Sequence, residues 1–311
     1  MHFKKALKSF KELIQIYFTE LMMIFGKNNL INAHLIFRNQ EGSVEHYYHF
    51  LLGFLVPLVR AIQVLDDSFK INNFYIRSCA ILDDIIRELG YSKIIIVEKD
   101  QLKNVKHNSI ANKISFRRFF FVGYDHPHKY NKDIFSNVSE ILRRRLSEQI
   151  ATEQSNITRN FDKNGQKIVL INRGSPHEFY ASNNCEIKTA GQQRRSIGNF
   201  DALTSTLKDR YGNLVSVVLE GRSLSYQIAL FQVADIVISQ HGAALANLIW
   251  AREGINVIEI SPRDLHPNCR EAFGLLARCS RQNYYRIKQL HSHGDVNIND
   301  IVVILDEIIS D

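Results

Sequence analysis

The sequence predicts an α/β protein whose C-terminal half is a doubly wound parallel sheet, and three observations carry that expectation. Short β-branched and aliphatic runs, KIVLIN (167–172), DIVIS (235–239) and NVIEI (256–260), read as buried strands. Between these runs lie longer segments that read as helices, so strands and helices alternate as in βαβ units. Turn residues punctuate the alternation. On such sheets ligands bind beyond the carboxyl ends of the strands, near a switch in strand order, so the residues just after each strand are where chemistry is sought.

Taken in order, the elements are these. Residues 33–37 form a short strand candidate. A long apolar helix follows from about Val44 to Val64, and Pro57 inside it predicts a kink or break, because proline cannot donate to the preceding turn. Residues 73–76 and 93–97 read as strands around a helix at 81–89 that Gly90 ends. A strand at 118–122 and a helix at 134–151 complete the N-terminal half. The polar stretch TEQSNITRNFDKNGQ (152–166) is the linker candidate. Beyond it come strand 167–172, helix 200–211, strand 214–219, helix 224–233, strand 235–239, helix 242–251, strand 256–260, helix 268–280, strand 284–287 and helix 298–309. The expected organisation is an N-terminal helix over 1–30, one domain over 31–155 and a second over 156–311.

Composition narrows the class. At 311 residues, 45% hydrophobic and 23% charged with five prolines, the chain has room for one large or two medium cores and lacks the make-up of a disordered or fibrous protein. Four cysteines (Cys79, Cys185, Cys269, Cys279) form no C-x-x-C pair and suit a reducing compartment, which gives a cytoplasmic expectation. The net charge of +7 favours anionic partners, but it is spread along the chain, and no zinc-finger or RNA-sheet pattern supports a nucleic-acid partner. No apolar run reaches bilayer length. Residues 1–25 carry Lys4, Lys5, Lys8 and Lys11 beside Phe3, Leu7, Phe10, Ile14, Tyr17 and Leu21 at helical spacing. Two readings stand: a helix packed on the body of the protein, or a basic interfacial helix at the inner face of the cell membrane, each lysine adding about 1 kcal/mol near an anionic bilayer.

The residues after the strands are informative. Gln240 and His241 lead into Gly242, Ala243 and Ala244 at the start of a helix; small residues there let an anion approach free N–H groups at the positive end of the helix dipole. Glu259 ends the next strand, where a carboxylate can accept from ribose hydroxyls. Arg173 follows strand 167–172, Arg194 and Arg195 lie in the loop before helix 200–211, and Glu220 ends strand 214–219. Arginines at such edges suit a diphosphate, because the guanidinium is a permanently charged bidentate fork. No D-x-D follows a strand, and the pairs His126/His128 and His291/His293 read as surface loop histidines, so no metal is expected. No G-x-G-x-x-G follows a strand either, which disfavours a dinucleotide-dependent oxidoreductase.

Together the segments INRGS (171–175), QRRSI (193–197), VVLEGRSLSYQIALFQVADIVISQHGAALANLIW (217–250) and VIEISP (257–262) resemble glycosyltransferase family 61, firmly over the last 140 residues or so. The match runs through Leu219, Glu220, Gln227, Ile228, Phe231, Asp235, His241, Gly242, Ala243, Leu245 and Asn247, and departs at Ala244, where glycine is usual. The resemblance implies a GT-B-like arrangement of two Rossmann-like α/β/α domains facing a cleft. It also implies an inverting, metal-independent transferase that uses a nucleotide-sugar, most simply a UDP-sugar, as co-substrate and a glycan or glycolipid as acceptor. The setting it implies is capsule or other surface-polysaccharide assembly in a bacterium. By carry-over Arg173, Arg195, Glu220, Asn247 and the 241–244 turn would hold the donor, and Glu259 the ribose. EHYYHFLLGFLVPL (45–58) resembles the family's aromatic–His helix, with His49 at the matching histidine. Gly53 stands where many relatives carry an acid, which leaves a catalytically degenerate homologue as the alternative. Glu45 lies one helical turn before His49, so the expected base is His49 supported by Glu45.

Overall fold

The computed structural model describes residues 30–39, 42–99, 101, 114–162, 165–186 and 188–310; of the expected N-terminal helix over 1–30, residues 1–29 lie outside them, and Leu30 opens a strand. Two compact units emerge, and neither is a single run of chain. One comprises Met1–Ile36, Ala61–Ser78 and Ser92–Phe120, the other Phe37–Arg60, Cys79–Tyr91 and Phe121–Asp311. Residues 37–60 and 79–91, which precede the expected boundary at 155, are thus built into the unit that carries the C-terminal sheet.

The first unit is built on strands β1 (Leu30–Arg38), β2 (Ile71–Arg77), β3 (Ile94–Val97) and β4 (Ile114–Val122), in the order β3-β2-β1-β4. β1 and β2 run parallel with Ala33 opposite Phe74, and β2 and β3 run parallel with Phe74 opposite Ile94. Ala33, Leu35, Phe74 and Ile76 fill its core.

Helix α1, Tyr47–Ser68, is divided between the units, residues 47–60 belonging to the second and 61–68 to the first; it has three parts: an α turn (Tyr47–Phe50), a π segment (Leu51–Leu55) and a longer α stretch (Val56–Ser68). The disruption expected from Pro57 takes the form of this π segment. Val56 N–H reaches back five residues to Leu51 O, and Pro57 has no N–H to offer. Leu52 O is taken instead by Tyr124 N–H at 2.8 Å, which fastens residues 123–125 to the helix. At 22 residues α1 is long and apolar enough to cross a bilayer by composition, contrary to the reading of the sequence. Within the second unit, however, Phe50, Leu51, Leu52, Phe54, Leu55, Val56, Leu58 and Val59 are buried in protein.

Helix α2 (Asp83–Glu88) lends its last carboxylate to another helix. α3 (Lys132–Arg145) and α4 (Ser147–Thr158) replace the single helix and linker read from the sequence: the chain bends at Leu146 (φ −106°, ψ 26°) and helix continues to Thr158. The polar composition of 152–158 conceals that only a narrow stripe, Leu146, Ile150 and Ile157, needs burial.

The remaining chain alternates as expected through β5 (Ile168–Asn172), a single turn α5 (Gly191–Arg194), α6 (Phe200–Tyr211), β6 (Leu214–Val218), α7 (Leu224–Val233) and β7 (Ile236–Gln240). A 3-10 helix (Ala243–Trp250), β8 (Asn256–Pro262), α8 (Ala272–Cys279), β9 (Asn283–Gln289) and α9 (Ile298–Ser310) follow. The five strands are parallel in the order β6-β5-β7-β8-β9. Ile168, Leu170, Ile236, Ile238, Ile258 and Ile260 face one core with Leu203, Leu207, Ile301 and Leu305, while Val169, Val237 and Val257 are equally buried on the other face. Helices on both faces explain why the strands are continuously apolar. At the start of α7 Ser223 Oγ accepts from Tyr226 N–H, and Glu88 accepts from Leu224 and Ser225 N–H at 2.6 and 2.8 Å, so three first-turn donors are satisfied. Strand order reverses between β5 and β7. Their carboxyl ends are where this topology holds a ligand.

Candidate active site

Arg173 leaves β5 and His241–Gly242 leaves β7, so both stand at the reversal. The half-buried Arg173 side chain donates from Nη2 to His241 O (2.7 Å) and from Nη1 to Gly191 O (3.4 Å), and its buried Nε has no partner. Arg195 Nη1 also donates to His241 O, at 3.4 Å. One carbonyl therefore serves two cations, and among the described residues no carboxylate pairs with either. Burial, reinforced by the charge of Arg195, pushes Arg173 down to about 10, and burial with the charge of Arg194 pushes Arg195 down to about 10. Two partly desolvated guanidinium groups short of negative charge make a site that an anion would complete.

Gly242 is extended (φ 167°, ψ −178°), so glycine there answers to space and not to backbone conformation. A Cβ at this position would lie 1.7 Å from Arg173 Nη2. The sequence suggests that small residues admit the ligand to the backbone; at 242 the missing side chain admits Arg173. The segment that follows is 3-10 rather than α, with Ala243 and Ala244 half-buried at its start and their N–H groups lacking acceptors within the helix.

His241 Nδ1 pairs with Glu259 Oε1 at 2.6 Å, and Glu259 Oε2 accepts from Tyr284 OH at 2.5 Å. Arg286 Nε donates to that phenol oxygen at 3.0 Å and its Nη1 to Glu271 at 2.6 Å. Glu259 is fully buried, with one oxygen paired to His241 and the other accepting from Tyr284, so it orients His241. Burial holds His241 below its ordinary range, opposed by Glu259 and seconded by the two arginines. With Nδ1–H given to the carboxylate, Nε2 is the nitrogen left to a ligand. Asn247 is likewise occupied: Oδ1 accepts from Tyr47 OH (2.7 Å) and Trp250 Nε1 (3.0 Å), and Nδ2 donates to Gln227 Oε1 and Ala244 O. Glu220 is exposed, its carboxylate beside Gly174.

His49 is one-fifth exposed and its Nδ1 lies 3.0 Å from Oδ2 of Asp125, whose side chain is fully buried. Glu45, the partner expected from sequence, is elsewhere. Its Oε2 accepts from Glu186 N–H (2.7 Å) and its carbonyl from Tyr180 OH (2.6 Å). The helix starts at Tyr47, after an extended His46 (φ −101°, ψ 132°), so the four-residue helical spacing from Glu45 to His49 does not apply. No spacing in the sequence signals Asp125, which comes from the chain after β4, 76 residues away. The one local hint is the Gly123 and Pro127 that frame it as a turn. The Tyr48 ring sits edge-on to His49 (5.0 Å) and to Phe273 (5.7 Å), and Phe273 sits edge-on to His241 (4.9 Å). The structure thus brings His49 and His241 to either side of one aromatic pair.

No group of His, Cys, Asp and Glu among the described residues could hold a metal. An open polar cleft of about 450 Å³, lined by Glu153, Asn156, Arg222 and Tyr226 among others, contains none of these site residues. A family model described as glycosyltransferase 61 matches residues 47–258, a span that takes in His49, Asp125, Arg173, Arg195 and His241. A search of curated proteins returned no match.

Proposed function

The chain belongs to glycosyltransferase family 61, and from that premise we propose that it moves a sugar from a UDP-sugar to a hydroxyl of a glycan or glycolipid with inversion at the anomeric carbon. The observation that carries the reading is the sharing of His241 O by Arg173 and Arg195 at the switch between β5 and β7. A diphosphate there relieves the repulsion between the two cations and gives each a fork-like partner. The Ala243 and Ala244 N–H groups and His241 Nε2 add donors, the last once the arriving anion favours its protonation.

In the transfer, the acceptor oxygen attacks the anomeric carbon as the bond from that carbon to the phosphate oxygen breaks. The bonding pair leaves with the nucleoside diphosphate, whose growing charge Arg173 and Arg195 offset, and His49 takes the acceptor proton. Surface-polysaccharide assembly at the inner face of the cell membrane, with residues 1–25 as the basic contact, is the setting we propose; it draws on the lysines of that segment and on the family.

A thermal-shift panel of UDP, GDP and CMP, free and sugar-linked, followed by donor consumption with and without glycan acceptors, tests the reading. UDP should stabilise the protein most, and acceptor should accelerate release of UDP. Stabilisation by none of the nucleotides removes the proposal; binding without turnover would instead mark a degenerate homologue.

A further inference from the structure

The geometry points to Asp125 as the positioning residue for His49, held in a socket made by three glycines; the inference rests on His49 being the base. Asp125 is an acid with no exposed side-chain surface, 3.0 Å from a histidine that keeps part of its ring open. A carboxylate on Nδ1 fixes the tautomer with Nδ1–H and leaves the Nε2 lone pair free to accept a proton.

Three glycines from separate stretches keep clear the space that this pair needs. A Cβ on Gly53 would lie 2.7 Å from Asn39 Nδ2 and 3.0 Å from Asp125 Cγ, and one on Gly123 would lie 2.7 Å from the Gly53 Cα and 3.0 Å from Asp125 Oδ1. A Cβ on Gly42 would meet the other side of the pair, 2.2 Å from His49 Nε2. Gly42 also sits at φ +65°, where a side chain is strained. Two glycines therefore border the acid, and the third leaves clear the face of the His49 ring at Nε2. Asp125 is further fixed through its backbone, since Tyr48 OH donates to Asp125 O at 3.0 Å and Tyr124 N–H is held by Leu52 O. The arrangement binds Asp125, His49 and the neighbouring aromatic ring into one unit.

The test combines kinetics with a readout that does not need turnover. Asp125→Asn keeps the shape of the side chain and should lower kcat by about 10-fold or more, as loss of part of a general-base contribution of about 10²–10⁴ requires, with UDP affinity and KM for donor unchanged. In ¹⁵N spectra of the neutral ring, wild-type His49 should show the Nδ1–H form, and Asp125→Ala should shift it toward the Nε2–H form that free imidazole side chains prefer in water. Gly42→Ala should lower kcat while leaving UDP affinity intact. A wild-type kcat in Asp125→Asn, or an unchanged His49 tautomer in Asp125→Ala, overturns the inference. If the wild type consumes no donor, the function proposed above falls, while the spectra still decide whether Asp125 sets His49.

Discussion

Replacing Gly242 with alanine isolates the geometry on which the proposed donor binding depends. The added methyl would start 1.7 Å from Arg173 Nη2, whereas carbon and nitrogen rest at about 3.5 Å, so the guanidinium must withdraw by about 1.8 Å. Its 2.7 Å bond to His241 O then stretches beyond hydrogen-bond range and the fork no longer faces the phosphates. A charge-assisted bond contributes about 1.5–3 kcal/mol, which corresponds to a loss of about 10- to 150-fold in UDP affinity. The backbone at 242 is extended and admits alanine without strain, so the unliganded protein should melt near the wild-type temperature. Calorimetry gives the affinity directly. In thermal shift at a UDP concentration of about 100 times the wild-type Kd, ligand stabilisation of about 2.7 kcal/mol should fall to about 0.9 kcal/mol for a 30-fold weaker variant. Wild-type affinity in Gly242→Ala would refute the claim that Arg173, as seated on His241 O, holds the diphosphate.

Other variants separate binding from chemistry and from stability. Arg173→Ala or Arg195→Ala should weaken UDP binding by at least about 10-fold, and His49→Ala should lower turnover by about 10²–10⁴ with UDP affinity retained; full turnover in His49→Ala would dismiss it as the base. Tyr47→Phe removes one buried bond and should cost about 1 kcal/mol in chemical denaturation. Asn247→Ala strands Tyr47, Gln227 and Trp250 together and should cost about 3 kcal/mol or more; equal losses in the two variants would mean that Asn247 is not a hub. Because folding holds His241 below its ordinary 6.5, the unfolded chain binds its proton more readily, so this contribution is intact above about pH 6.5 and is lost as pH falls below it. The unliganded melting temperature should therefore drop between pH 7 and 5.5, and His241→Asn should flatten that slope; an unaltered slope would count against it.

Local pattern made much of the second sheet legible. The spans 200–211 and 224–233 are read from sequence with the bounds that α6 and α7 have, because caps and apolar spacing are written within a few residues. The bend at Leu146 and the helical run to Thr158 were not legible, since three buried residues in a polar stretch leave little periodicity. At the site, position just beyond a strand end points to Arg173 and His241. It does not reveal what a neighbouring strand presents: Tyr284 on β9 reaches Glu259 on β8, whose other oxygen pairs with His241. Asp125 was out of reach for the same reason, as no spacing rule links residue 49 to residue 125. Gly53 stands in sequence where relatives carry an acid; in three dimensions Asn39 and Asp125 press against the space its side chain would fill.

The π segment of α1 has a mechanical consequence. A helix advances about 100° per residue, so the extra residue between Leu51 and Leu55 sets the angle at which the opening turn faces the rest of the protein. Deleting one residue there would restore an ordinary repeat, swing His49 around the helix axis by about that angle, and reclaim the carbonyl that now anchors Tyr124. The direction in which His49 is presented is therefore set by helix phase. An engineer wishing to re-aim this histidine, or a lineage drifting toward a different acceptor, could do so by adding or losing a residue several ångströms from any reacting atom, with Pro57 as the pawl that keeps the present setting.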